Sequence, residues 1–489
     1  MALVYALQRV LMRSRLRALL ATLGICAAAG VAVGALVTVL TPLWAIALLA
    51  GVAGALLMLR SREFTLFVIC GIICLLPFAS LPLNVGFSPT FLNLALGVLY
   101  LVWALRVATG RQERWASSPI SPAVAVFLLL TFGAFVAGLG HASLTATSLR
   151  KFAEIPLGIV LYFAVINHVR THKALQNTTF WLIAAGFTAA AVGIFLYVIP
   201  QLWAIRLLSA LRIFRYPAGP DVLRFVEDDP ELPMRAIGTS VDPNVLGALL
   251  VLTMGLAAPH LFSPQSRWRR VVLAAGMGLS GICLILTYSR SSLVGLGAAL
   301  AVLGALRYRR ALLVVALAGT LLLVLPQTRS YVTRFAEGIR GEDRATQMRF
   351  GEYKDAFILI QRYPWLGVGF VDAPDIDLYL GVSSLYLLIA EEMGLIGLGA
   401  FLICVAVFLL VLFDAWSRQG RAKVLEPWLL GPGVAIVGGL VGGLLDHTLF
   451  SFSHALTLFW LIVGLGAVAA RLSSDTAESD PARGIAEPG

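Results

Sequence analysis

A succession of apolar segments, each about as long as a bilayer is thick, constrains this chain more than any other feature of its sequence. Windows of about 19 residues find such segments near 18–40, 43–59, 64–81, 90–108, 122–139, 152–168, 180–199, 245–262, 271–287, 291–306, 311–326, 385–413, 428–445 and 455–470. Lipid offers no partner for backbone N–H and C=O groups, so segments of this kind fold as helices. The expected fold is therefore all-α: a polytopic membrane helical bundle of about 14 transmembrane spans, with short amphipathic helices in its outer loops. Of the 489 residues, 59% are hydrophobic and 13% charged, against about 25% charged in a soluble domain. That excludes an ordinary water-soluble enzyme.

The formal net charge of +11 reads first as topology, not as a nucleic-acid footprint. With the N-terminus in the cytoplasm, every short inner connection is basic. They carry Arg9, Arg13, Arg15 and Arg17, then Arg60 and Arg62, Arg106, Arg111 and Arg114, and Arg170 and Lys173. The same side continues with Arg267, Arg269 and Arg270, Arg307, Arg309 and Arg310, Arg418, Arg421 and Lys423, and Arg471 and Arg483. The short outer connections at Thr41–Pro42, Pro82–Pro89 and His447–Ser453 carry no Lys or Arg. Both termini are thus expected in the cytoplasm. The order is an interfacial basic helix over 1–17, an N-terminal bundle over 18–199, a first large outer loop over 200–244, central spans over 245–326, a second large outer loop over 327–384, C-terminal spans over 385–470 and a disordered tail over 471–489. The N-terminal apolar run has no convincing cleavage site and reads as a retained span. The five cysteines lie inside apolar runs without metal-ligand spacing, so neither a disulfide nor a zinc site is expected.

Five basic residues lie between Arg206 and Arg235 and seven between Arg329 and Arg362. As sets they suit an anionic ligand at the outer face. Tyr331, Phe335 and Ile339, then Met348, Tyr353, Phe357 and Ile360, recur at helical spacing and predict two amphipathic helices. Tyr363-Pro364-Trp365 ends the second, and Gly367 and Gly369 allow a tight return. The sharpest feature is Thr287-Tyr288-Ser289-Arg290-Ser291-Ser292, wedged between two apolar runs. A hairpin there brings free backbone N–H groups, serine hydroxyls and one guanidinium together, a fit for phosphate or pyrophosphate; the plainer alternative is serine caps with a snorkelling arginine. Asp242, followed by Pro243, predicts a second helix start, with Arg235 nearby.

The run of Gly238-Thr239-x-x-Asp242-Pro243-Asn244, Thr287-x-Ser289-Arg290-Ser291, Arg349 in a long outer loop, Tyr363-Pro364-x-x-Gly367-x-Gly369, Ser384-Leu385-Tyr386 and Glu392-x-Gly394-Leu395-x-Gly397 resembles the O-antigen ligase and O-antigen polymerase superfamily. Motif detail covers roughly 235–400. The resemblance implies a glycosyltransferase of a bacterial inner membrane that uses neither metal nor cofactor. It would transfer or polymerise a glycan from undecaprenyl diphosphate to a glycan or lipid acceptor, the diphosphate lipid leaving. Membrane lipids and other polysaccharide export proteins are the further partners implied. By position, Arg290 and Arg349 would hold the diphosphate, which fixed guanidinium groups stabilise as it departs. Ser291, Ser292, Arg235, Arg215 and Arg212 are candidate supporting contacts.

Where the ligases place a histidine thought to activate the acceptor hydroxyl, this chain has Ser383 and Ser384. A serine is no general base at neutral pH. Glu392 is the leading candidate, with Glu391, Asp372, Asp375 and Asp377 open, as is no base at all if binding and departure of the diphosphate carry most of the effect, and the missing histidine favours polymerase over ligase. Asp375-x-Asp377 has a metal-binding form, but a turn beside Pro374 accounts for it. His447 and His454 with Asp446 as orienter form an alternative base, against plain interfacial hydrogen bonding. Glu154 pairs locally with Arg150 and Lys151, and the glycines at 438, 439, 442 and 443 read as helix packing. A transporter or flippase is the rival function, but acidic groups near the bilayer midplane, expected of ion-coupled carriers, are almost lacking.

Overall fold

The computed structural model describes residues 42–81, 88–110, 115–264, 266–324, 344–370, 381–418 and 425–478, with single positions at 333, 337, 340 and 341. The basic run over 1–17, the first expected span, most of the first amphipathic helix, Asp372, Asp375 and Asp377 lie outside them. The chain divides into two compact units at Phe64. In the first, the described part is α1 (Pro42–Arg60) and the start of α2 (Arg62–Leu75), where Ser61 Oγ accepts from Phe64 N–H at 3.2 Å.

Among the described residues the second unit is helical apart from one two-residue hairpin and an isolated bridge between Ser80 and Thr90. Its helices are α3 (Phe91–Ala108), α4 (Ser121–Gly138), α5 (Ala146–His168), α6 (His172–Val198) and α7 (Gln201–Ala210). Strands β1 (Arg224–Phe225) and β2 (Met234–Arg235) pair antiparallel. Then come α8 (Pro243–Phe262), α9 (Arg267–Leu286), α10 (Arg290–Leu306), α11 (Arg310–Val324), α12 (Arg344–Arg362), α13 (Leu385–Ser417), α14 (Glu426–Gly442), α15 (Thr448–Ser451) and α16 (Ser453–Glu478). Each apolar segment from 43 onward thus coincides with a helix. Starts fall where a short polar side chain can satisfy the first orphan N–H groups: Thr90 for α3, Thr145 for α5, Thr171 for α6, Asp242 for α8 and Ser266 for α9. The last helix runs past Arg471 into the segment read as a tail. Its guanidinium donates to the Ile166 and Val169 carbonyls, both at 3.0 Å, and pins that turn.

Among the described residues seven helices are long and apolar enough to cross a membrane, with shorter apolar ones among them, and the protein is a multi-pass membrane protein. The most apolar stretches of α8 and α16 are 83% and 89% buried, against 28% for α3, α4, α9 and α13. The first two are therefore central, and the others form a rim that faces lipid with side chains such as Leu129, Phe132 and Val136, as expected of helices apolar all round. Beside α8, the helices α10 and α14 approach backbone to backbone. A Cβ on Gly255 would lie 2.7 Å from Ala435 Cα, and one on Gly295 would lie 2.6 Å from the Gly438 carbonyl. Such contacts drive association where lipid is as apolar as the side chains.

With 17 residues at about 1.5 Å each, α10 separates two polar ends by roughly 25 Å. At one end stand Ser291 and Ser292. At the other, the buried Glu426 carboxylate takes Arg307 Nε at 2.9 Å, Trp416 Nε1–H at 3.1 Å and the Tyr308 hydroxyl at 3.3 Å. Burial and Glu426 together push the Tyr308 phenol up to about 12, so it stays a donor. One carboxylate thereby fastens the α10–α11 turn, the end of α13 and the start of α14. Replacing Glu426 with Ala strands the Trp416 and Tyr308 donors and should destabilise the fold by about 1–3 kcal/mol. A lowered unfolding midpoint in detergent is the expected outcome, and an unchanged midpoint would contradict the hub.

Candidate functional site

The Ser291 end is assembled from turns that the sequence marks and from contacts that it does not. Leaving α9, Thr287 turns its hydroxyl back to the Leu284 carbonyl at 2.7 Å, and Tyr288 takes a left-handed backbone with φ 54°. The chain then enters α10 at Arg290. Ser289 does not cap the helix. Its hydroxyl instead shares hydrogen bonds with Ser291 Oγ at 3.1 Å and Ser292 Oγ at 2.9 Å. No side chain caps the first turn of α10, and the dipole at such an end suits an anion. Gly247 on α8 leaves room for this cluster, since a Cβ there would strike Ser292 Oγ.

Those serines line a small open pocket together with Gly438, Gly439, Gly442 and Gly443 at the end of α14 and with Asp446, Thr448 and Leu449. The glycines read as packing residues therefore have two uses, close approach and space. Asp446 Oδ1 accepts the Thr448 N–H at 2.7 Å and the Thr448 hydroxyl, which fixes the carboxylate.

The amphipathic α12 joins the same end. Burial, against the pull of Arg349 and with the help of Glu352 and Asp446, raises the Tyr353 phenol above its ordinary value. Arg349 and Asp446 both act on Tyr353 through space. Glu352 accepts the Ser383 N–H at 2.9 Å, and Tyr353 donates to the Ser383 carbonyl at 3.4 Å. Leu385 N–H in turn lies 2.8 Å from the Gly443 carbonyl and 3.2 Å from the Asp446 carbonyl. Asp446 consequently stands beside Ser383 and Ser384. Sequence reasoning weighed Asp446 only as an orienter for His447 and His454. His447 instead bonds Ser451 Oγ at 2.6 Å, and His454 is buried against Phe78, ring centroids 4.9 Å apart.

The motifs Tyr363–Gly369 and Glu392–Gly397 turn out to be two halves of one interlock. Helix α13 breaks at Gly394, φ 68° and ψ −177°. The freed Glu391 and Glu392 carbonyls accept from Val368 N–H at 2.8 Å and Gly369 N–H at 3.0 Å, and Leu395 N–H donates to the Pro364 carbonyl at 2.7 Å. Tyr363 also packs on His141, ring centroids 4.4 Å apart. Glu392 thus sits just before the break, where the charges that act on it are Glu391 and Lys151.

The other candidate arginines have other surroundings. Arg235 donates to the Thr287 carbonyl at 2.8 Å and to Asn244 Oδ1 at 2.9 Å, which ties the hairpin before α8 to the end of α9. Arg215 holds Ser88 Oγ. Arg212 shares that short 3₁₀ turn, which docks on the 78–91 segment through the Ser80 N–H to Phe214 carbonyl bond at 2.9 Å. Arg235 therefore shapes the site turn, while Arg212 and Arg215 lie on a different surface segment.

Fold and site together define an all-helical, multi-pass membrane protein with an anion-suited turn at one bilayer end. Residues 275–402 match the O-Antigen ligase family, and the segment matched contains the Ser289–Ser292 turn, Arg349, the Tyr363–Gly369 strap and Glu392. The match supports a membrane glycosyltransferase of the O-antigen ligase/polymerase type. No curated protein matches the chain.

A Cβ on Gly367, whose φ is 71°, would lie 2.5 Å from the Glu391 carbonyl oxygen and 2.6 Å from Gly394 N. Gly367→Ala should destabilise the strap by about 1–3 kcal/mol. Faster proteolysis at the strap is the expected reading, and a variant as resistant as the parent would contradict the interlock.

Proposed function

We propose that the protein transfers or polymerises a glycan carried on undecaprenyl diphosphate, at the outer side of a bacterial inner membrane, with both termini in the cytoplasm. The observation that carries this reading is the pocket that Ser291 and Ser292 share with Asp446, which acts on Tyr353 together with Arg349. The uncapped first turn of α10, Arg290 and Arg349 would hold the diphosphate. As the bond from the sugar C1 to the diphosphate oxygen breaks, negative charge gathers on phosphate. Fixed donors in a partly dry cleft lower that barrier more than the same groups would in water.

The attacking acceptor hydroxyl must lose its proton as its oxygen bonds to C1. We assign the proton to Asp446. It lines the cavity, Thr448 fixes its carboxylate, and it adjoins Ser383 and Ser384, the positions that in the ligases carry histidine. Glu392, the leading candidate by sequence, is separated from that cavity by the first half of α13 and has Lys151 as its charged neighbour. No residue named here needs a metal ion for its part. Polymerase is favoured over ligase because the ligase histidine is missing.

Full-length protein in proteoliposomes, supplied with undecaprenyl-diphosphate oligosaccharide, tests the assignment. Arg290→Ala and Arg349→Ala should each cut transfer by about 100-fold or more, as loss of a transition-state donor does. Asp446→Asn should lose a comparable factor, in the usual range of about 100- to 10,000-fold for a general base, while Glu392→Gln loses much less. Full activity in Arg290→Ala, or a larger loss in Glu392→Gln than in Asp446→Asn, would overturn the respective role.

A further inference from the structure

Helix α7 lies outside the segment matched to the family, and it carries apolar side chains on both faces. Ala204 and Leu208 turn inward, where they form a small core with Leu196, Val222, Leu223 and Ile237. Leu202, Trp203 and Leu207 turn outward and are 67%, 56% and 46% exposed. A surface helix bathed in water carries polar residues on its outer face. Here Arg206 is the only charged residue of the helix, and its guanidinium carbon lies 5.1 Å from the centre of the Trp203 ring.

The place of α7 in the chain says what covers that face. Helix α6 has 27 residues, about 40 Å at 1.5 Å each, enough to cross a hydrocarbon layer of about 30 Å. Its last turn leaves Phe195 and Val198 exposed, as lipid-facing side chains are. Only Ile199, Pro200 and Gln201 separate that turn from Leu202, so the exposed apolar surface of the span runs on to α7. A helix that begins where a span ends stands at the level of the lipid head groups. There Trp is favoured, and Arg extends its guanidinium toward phosphate.

We propose that α7 is an interfacial anchor, with Leu202, Trp203 and Leu207 immersed at the boundary between phospholipid head groups and acyl chains and Arg206 on lipid phosphate. The inference stands apart from the transferase reading. Its consequence reaches the candidate site through the core beneath α7, on which the hairpin residues Phe225 and Met234 also pack. From there the chain runs to the end of α9, where the Ala236 N–H donates to the Leu286 carbonyl at 2.8 Å and Arg235 Nε to the Thr287 carbonyl at 2.8 Å. The Gly219 N–H donates to Ser209 Oγ at 3.1 Å and ties the same loop back to α7. Lipid thus supports from outside the loop that braces the Thr287–Ser292 turn.

Full-length protein in nanodiscs of phosphatidylethanolamine and phosphatidylglycerol tests the anchor. Benzoylphenylalanine is placed singly at Leu202, Trp203 or Leu207, or at Glu231, an exposed residue between the two strands. On irradiation the three α7 positions should give phospholipid adducts, read by intact mass, about fivefold or more above Glu231. Adducts no more frequent than at Glu231, or a cross-linked dimer in their place, overturn the proposal. Combining Leu202→Asp with Leu207→Asp should speed proteolytic cleavage within residues 211–233 by about tenfold, because the loop opens more often. An unchanged rate overturns the support that lipid gives the hairpin. The cross-linking decides the anchor by itself if the double variant fails to fold.

Discussion

Inside a bilayer a backbone polar group without a protein partner has no water to fall back on. The break of α13 at Gly394 is therefore permitted only because another stretch of chain completes it. The Tyr363–Gly369 strap does so with three main-chain hydrogen bonds across the gap. Because they are main-chain bonds, the match depends on how closely two backbones approach, and a side chain at Gly367 or Gly394 would fill the space they need. The strap also continues directly from α12, the helix that carries Arg349, Glu352 and Tyr353. An apparently local helix defect thus fixes how a surface helix is held against the bundle, and hence where its charges stand.

The cavity arises from the same requirement in a different form. Glycines along α14 and at Gly247 and Gly295 let three helices come closer than alanines would allow. Where α14 ends, those glycines leave open space in place of contact. Around that space the backbone is strained. Tyr288 and Val241 both have positive φ without being glycine, a conformation that costs of order 1 kcal/mol or more and persists only where its surroundings overdetermine it. Arg235 supplies part of that constraint, since its hydrogen bonds to Asn244 and to the Thr287 carbonyl join the start of α8 to the turn before α10. Its charge is largely committed to holding shape.

Much of the bundle could be read from the sequence because hydropathy is a local property. The helix starts at Thr90, Thr145 and Asp242 follow from side-chain capping within three residues. The turn at Thr287–Ser292 is equally local, and so is the periodicity that marks α12. The place of Asp446 had no such signal. What brings it to the site is its carbonyl meeting Leu385 N–H, a contact between a turn and a helix start about 60 residues apart in the chain, which no local pattern at Asp446 announces. The strap and the helix break were each visible as glycines, but their reciprocity was not, because no periodicity links Val368 to Glu391. Arg235, Arg212 and Arg215 were grouped with the site through charge alone, and charge does not say which neighbours a guanidinium will find.

On the proposed reading, the replacement of a histidine by Ser383 and Ser384 has a structural counterpart. Ser383 has both backbone groups engaged by α12, its N–H by Glu352 and its carbonyl by Tyr353. A bulky imidazole is not needed to organise this corner, because α12 already does so. The proton acceptor then comes from the adjoining turn, where Asp446 is held by Thr448. Arg349 acts on the same phenol, Tyr353, as Asp446. One surface helix would thus bring a guanidinium for the departing phosphate to the corner where the acceptor hydroxyl loses its proton.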